Sequence, residues 1–117
     1  MRQTFTIDMK AVSWNTLARK NHWTFSKVFH AWAEATYEAV KAARIVPVTQ
    51  YPISIEVEAH WRHKRRHDVS NIVLKPIEDQ LVTMGILKDD SLEYVTSVSF
   101  RGKTGCPRDE LVVCLWS

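Results

Sequence analysis

Nine residues, ISIEVEAHW from Ile53 to Trp61, alternate strictly: Ile53, Ile55, Val57, Ala59 and Trp61 fall on one face, and Ser54, Glu56, Glu58 and His60 on the other. A period of two sends successive side chains to opposite sides of an extended chain, so the run reads as a strand with one face on a core and one toward water. No spacer follows it. The next residues are RHKRRHD, which place Arg62, Lys64, Arg65 and Arg66 immediately before Asp68. The clearest strand in the chain thus runs straight into a basic block aimed at a carboxylate.

The remaining elements are read the same way. Phe5, Ile7 and Met9 alternate with Thr4, Thr6 and Asp8, which predicts a first strand. From Ser26 to about Arg44, Val28, Trp32, Ala35, Ala39 and Ala43 recur at spacings of three and four, the stripe of an amphipathic helix, with Ser26 or Thr24 as its cap. Ile77, Leu81 and Met84 continue a second stripe begun at Val73 or Leu74, and Gly85 is placed to end that helix in a left-handed conformation. Pro76 lacks an N–H and clashes with the carbonyl four residues back, a cost of roughly 3 kcal/mol in a helix interior. The spacing therefore predicts a kink, or an irregular first turn with the main helix starting near Pro76. Two more strands follow: LEYVTSVSF, with Leu92, Tyr94, Thr96, Val98 and Phe100 facing one way, and ELVVCLW, joined by turn chemistry between Gly102 and Gly105. The order β-α-β-α-β-β predicts an α+β domain: a small mixed or antiparallel sheet of about four strands with two helices packed on it.

At 117 residues, 45% of them hydrophobic and 25% charged, the chain is sized for one modest core, so residues 1–117 read as a single domain. No apolar run approaches the roughly 20 residues of a membrane span. MRQTFTIDMK lacks an apolar signal core, and Cys106 and Cys114 form no Cys-x-x-Cys pair, so the expectation is a cytoplasmic protein without a disulfide framework. The net charge of +3 is only mildly basic, so contact with nucleic acid rests on where the charges sit. With three glycines, none in a phosphate-cradling loop, a small-molecule phosphate enzyme is disfavoured.

Asp68 lies where a strand gives way to a helix, and KDDS puts Asp89 and Asp90 in the loop after that helix. If the two loops meet, three carboxylates share one pocket. Two unit charges about 4 Å apart repel by about 4 kcal/mol at an effective dielectric near 20, and a cation relieves that. Hard oxygen ligands suit Mg²⁺ or Mn²⁺, which activate a water and stabilise charge on a phosphate under attack, with Lys75 steadying the same charge. A zinc site at His60, His63 and His67 is disfavoured, because His60 and His63 point to opposite faces of a strand and no cysteine stands at ligand spacing. His67 is read as a phosphate contact or a proton acceptor. Asp79, on a helix surface, is expected to meet a basic neighbour or a partner. Trp32 and Trp61 belong to core faces; Trp14 and Trp23 lie outside clear periodic elements and are candidates to stack on bases.

The segments RRHDVSN, KPIEDQL and G-x-x-x-DDS, with SWN at 13–15, resemble the signature of the RusA family of Holliday junction resolvases. In that signature a basic stretch precedes Asp-x-Asp-Asn, a lysine, a helical Asp-x-Leu and a paired Asp-Asp-Ser, and the resemblance covers most of the chain. It implies a homodimeric, Mg²⁺-dependent endodeoxyribonuclease, with Mn²⁺ as a substitute, that nicks four-way DNA junctions in recombination or repair and is often prophage-encoded. No membrane association and no small-molecule cofactor are implied. Carried over by position, Asp68, Lys75 and Asp90 are the catalytic residues, and Asp68, Asp90, Asp89 and Ser70 are the metal ligands. Arg62, Lys64, Arg65, Arg66, His67 and Asn71 are the DNA contacts. Two departures stand out. Ser70 replaces the second aspartate of the pattern, removing a carboxylate, and the interval from Asn71 to Lys75 holds one extra residue. The competing expectation is a junction-binding or DNA-binding protein of the same fold whose cutting is weakened or lost.

Overall fold

A computed structural model describes residues 1–18 and 21–117. Along the chain lie β1 (Arg2–Ile7), α1 (Trp14–Ala18), α2 (His22–Ala42), β2 (Ile53–His60), a single 3₁₀ turn (Val69–Asn71), α3 (Lys75–Thr83), β3 (Val95–Lys103) and β4 (Glu110–Trp116). The fold is α+β, a four-stranded mixed sheet in the order β1-β4-β2-β3 carrying helices. β4 pairs antiparallel with both β1 and β2, whereas β3 runs parallel to β2. Parallel neighbours cannot be joined by a hairpin, so the chain crosses over between them. That crossover, residues 61–94, carries the 3₁₀ turn and α3, and with them every candidate from Arg62 to Asp90.

β2 alternates as its sequence predicts: Ile53, Ile55, Val57 and Ala59 are buried. Leu111, Val113 and Leu115 of β4 and Phe5 and Ile7 of β1 extend the same apolar layer, and Trp32 of α2 and Ile77 and Leu81 of α3 complete the core. On the other face of the sheet His60 bridges two carboxylates, with Nδ1 3.0 Å from Glu110 and Nε2 3.0 Å from Glu58. Lys103 adds a further ion pair to Glu58 at 3.0 Å. Hydrogen bonding to His60 and then to Lys103 holds the Glu58 carboxyl below its ordinary value. Among the described residues, no helix is long and apolar enough to cross a membrane.

Several elements depart from the sequence expectations for local reasons. α2 begins at His22, ahead of Ser26, because Asn21 caps it: its side-chain oxygen accepts from the Thr24 N–H at 2.9 Å. Trp23, at 76% exposed, therefore sits in a helix but away from the core. The buried stripe of α2 runs through Trp32, Thr36, Ala39 and Val40 and stops before Ala43, which is the exposed C-cap. Thr36 is tolerated there because its hydroxyl donates to the Trp32 carbonyl at 2.7 Å. The short α1 holding Trp14 was not expected and buries only Leu17. α3 starts at Lys75, with Pro76 in its first turn where the missing N–H costs nothing, and Gly85 follows it at φ +76°.

β3 differs most from expectation. It begins at Val95, leaving Leu92 77% exposed outside it. Ile53 pairs with Val95 but Ser54 with Ser97, so Thr96 is an extra residue that shifts the alternation. Val95, Val98 and Phe100 share the core face with Ile53, Ile55 and Val57, and Thr96 does not belong with them. Gly102 also lies inside β3, opposite Ala59, and only Gly105, at φ +68°, serves the turn. A Cβ on Gly102 would stand 2.5 Å from the Trp61 ring, so glycine here lets Trp61 lie against the strand.

Candidate functional site

The crossover is tied down at both ends. At its start, the Trp61 N–H donates to the Lys103 carbonyl at 2.9 Å, the Cys106 N–H to the Trp61 carbonyl at 3.0 Å, and the Arg62 N–H to an Asp109 carboxylate oxygen at 2.9 Å. At its middle, Ser13 forms an isolated antiparallel bridge with Ile72, and the Val73 N–H donates to the Val12 carbonyl at 2.9 Å. The SWN segment is thereby held against the residues that follow Asp68.

The second loop returns to the start of α3. A nine-residue helix is only about 13.5 Å long, so a short segment can span it backwards. That segment is fixed by the Ile86 N–H to the Leu81 carbonyl at 2.9 Å, the Val48 N–H to the Ile86 carbonyl at 2.9 Å, and the Lys88 N–H to the Tyr51 hydroxyl at 3.0 Å. Asp90 arrives beside Lys75, with Nζ 2.5 Å from Oδ2, and the same ammonium lies 3.0 Å from Asp79, one helical turn along. These hydrogen bonds, to Asp90 first and Asp79 second, raise the Lys75 ammonium above its ordinary value, and Lys75 in turn lowers the Asp90 carboxyl. Asp79 thus meets a basic neighbour, as expected.

Glu78 also belongs to this cluster, although it was not among the residues expected there. It is half-buried, and burial, then the negative charge of Asp90, push its carboxyl up. Its spacing of three residues from Lys75 on a helix is the signal that would have found it. Asp89 acts locally, because its Oδ1 accepts from the Asp90 N–H at 2.8 Å and so shapes the turn that presents Asp90.

Asp68 precedes the 3₁₀ turn, and its carbonyl accepts from the Asn71 N–H at 3.1 Å. Its carboxylate lies 3.8 Å from Arg66 Nε, a loose pair between exposed groups that contributes at most about 1 kcal/mol. Arg62, Lys64, Arg65, Arg66 and Ser70 are exposed, while Asn71 and His67 are half-buried. The His67 ring stacks on Trp61, with centroids 4.2 Å apart and planes at 4°. Its Nε2 is buried with no hydrogen-bond partner among the described residues, a condition that costs about 1–3 kcal/mol. Asp68, Arg65, Arg66, His67 and Asn71 line a cavity of about 520 Å³, to which Lys10, Ser13 and Asn15 also contribute.

The structure therefore joins Lys75 to Asp90, and separately gathers Asp68 with the basic block and the SWN segment. Among the described residues, no three His, Cys, Asp or Glu side chains are grouped to hold a metal ion. A divalent ion at either cluster would meet fewer than three such side chains among the described residues. Mg²⁺ accepts such a site, because it keeps several waters and takes further oxygens from a substrate phosphate. No family model and no curated protein matches the chain.

Proposed function

We propose that this chain is a metal-dependent endodeoxyribonuclease that nicks four-way DNA junctions in recombination or repair, acting in the cytoplasm as a homodimer. The observation that carries the reading is the Lys75–Asp90 ion pair, which unites the start of α3 with the loop after it. Asp68 and the run of exposed cations lie on the same crossover.

The chemistry follows from the residues. Arg62, Lys64, Arg65 and Arg66 attract the DNA backbone. Lys75 keeps Asp90 ionised and presents a cation beside that carboxylate, where it can steady negative charge developing on an attacked phosphate. Asp90, beside Lys75, and Asp68, beside the basic block, are the carboxylates that would hold Mg²⁺ or Mn²⁺, with Ser70 and Asp89 as weaker oxygen donors. Such an ion, when bound, supplies a more acidic water and positive charge at the phosphate. Two-fold pairing of the chain furnishes two cutting centres for the two opposed strands.

A second reading, a junction-binding protein that does not cut, is favoured by Ser70, an exposed hydroxyl where the resembled pattern has a carboxylate. A labelled four-way junction incubated with the protein in Mg²⁺ or Mn²⁺ separates the two. The nuclease reading expects symmetric nicks; Lys75→Ala slows them by about 10²–10³-fold, the range for loss of one group that stabilises transition-state charge, and Asp68→Asn and Asp90→Asn slow them by weakening the hold on the ion. Junction binding with every strand intact would leave only the second reading. Faster cutting by Ser70→Asp would show that this position lies beside the ion.

A further inference from the structure

The cavity between the SWN segment and the crossover has features that phosphate binding alone does not require. Its volume of about 520 Å³ falls within the roughly 300–1,000 Å³ of small-molecule sites. Three cationic side chains, Lys10, Arg65 and Arg66, and one carboxylate, Asp68, line it, so a bound group with negative charge is favoured. With them are Asn15 and Asn71, whose amides can both donate and accept, the half-buried side chain of Val28, and edges of the largely buried Trp61 and Ile72. Phosphate needs no amide acceptor and no apolar wall. A nucleobase needs both, one for its edge and one for its face.

The walls are fixed in place. The Ser13–Ile72 bridge ties one side to the other, and Trp61 is held by backbone hydrogen bonds to Lys103 and Cys106. Trp61 in turn fixes the plane of His67, whose buried Nε2 has no hydrogen-bond partner among the described residues. His67 also lines the cavity, so its imidazole stands beside the space a ligand would fill.

We infer that this cavity binds one unpaired nucleotide of the DNA substrate, with the phosphate at Lys10, Arg65 and Arg66 and the base between Asn15, Asn71 and the apolar wall. A base stacked within a duplex cannot enter a walled pocket, so the bound base must leave the stack. The inference rests on the nuclease reading for its substrate, but not for its binding chemistry.

Calorimetric titration of the whole chain with each of the four deoxynucleoside monophosphates, with inorganic phosphate and with the nucleosides tests it. At least one monophosphate is expected to bind about tenfold more tightly than phosphate or its own nucleoside, because base and phosphate contacts act together. Asn15→Ala, at an exposed position that leaves the core untouched, should remove most of that advantage while phosphate binding stays as before. Equal affinity for monophosphate and phosphate, or an Asn15→Ala protein that still prefers the monophosphate, would overturn the inference. Its failure is distinct from that of the nuclease reading: junctions cut normally without this preference sink the pocket alone, and nucleotide binding without cutting sinks the nuclease alone.

Discussion

Lys75 and Asp90 meet at 2.5 Å between ammonium and carboxylate, although one begins a helix and the other lies in the loop that follows it. Their mutual shifts fix a pH dependence. Asp90 titrates below its ordinary value in the folded chain, so its contribution to stability is present above the unfolded carboxyl value and is lost as pH falls through the folded one. Lys75 titrates above its ordinary value, so its contribution is present below the unfolded lysine value and is lost at strongly alkaline pH. Lys75→Met should return Asp90 toward the usual carboxyl range in a carbon-detected NMR titration. The change in stability near neutral pH should be no more than about 1 kcal/mol, because Lys75 is half exposed.

Glu78 behaves in the opposite sense. Burial raises its carboxyl, so the ionised form is a burden on the fold that is absent below the unfolded carboxyl value and grows as pH rises through the folded one. Glu78→Gln is expected to raise the melting temperature at neutral pH, with the gain shrinking in acid. Equal gains at neutral and acidic pH would show that charge is not the cause.

Gly102→Ala places a methyl group 2.5 Å from the Trp61 ring. Overpacking of this kind costs about 1–3 kcal/mol. Displacement of Trp61 would also disturb His67, its stacking partner, so the substitution should move the His67 side-chain resonances together with the unfolding midpoint.

If the exposed cations of the crossover contact DNA phosphates, their removal has a signature in salt. Replacing both Arg65 and Arg66 with alanine should make the slope of log K against log salt shallower by about 2, since each phosphate contact contributes about 0.9 on duplex DNA. An unchanged slope in binding measurements on a four-way junction would place the DNA elsewhere.

What could be read from the sequence depended on how local its cause was. β2 was legible because its two faces meet different surroundings all along its length. β3 was not, since it is an edge strand with little burial and its phase is broken at Thr96. The start of α2 was missed because one polar side chain, Asn21, sets it, whereas the apolar stripe only becomes regular further along. For the site, Lys75 and Asp90 could be singled out from the sequence as candidates. Their contact depended on the length of α3 and the anchoring of residues 86–88, and the Ser13–Ile72 bridge depended on the tertiary fold.

The parallel pairing of β2 and β3 ties the candidate site to the margin of the sheet, because the chain reaches β3 only by way of the site. If fraying of β3 also opens the site, a bound ligand lowers the open population by mass action. Amide hydrogen exchange should slow across residues 95–103 when the site is filled and stay constant in the β1–β4 pair. β3 would then act as a built-in reporter of ligand binding.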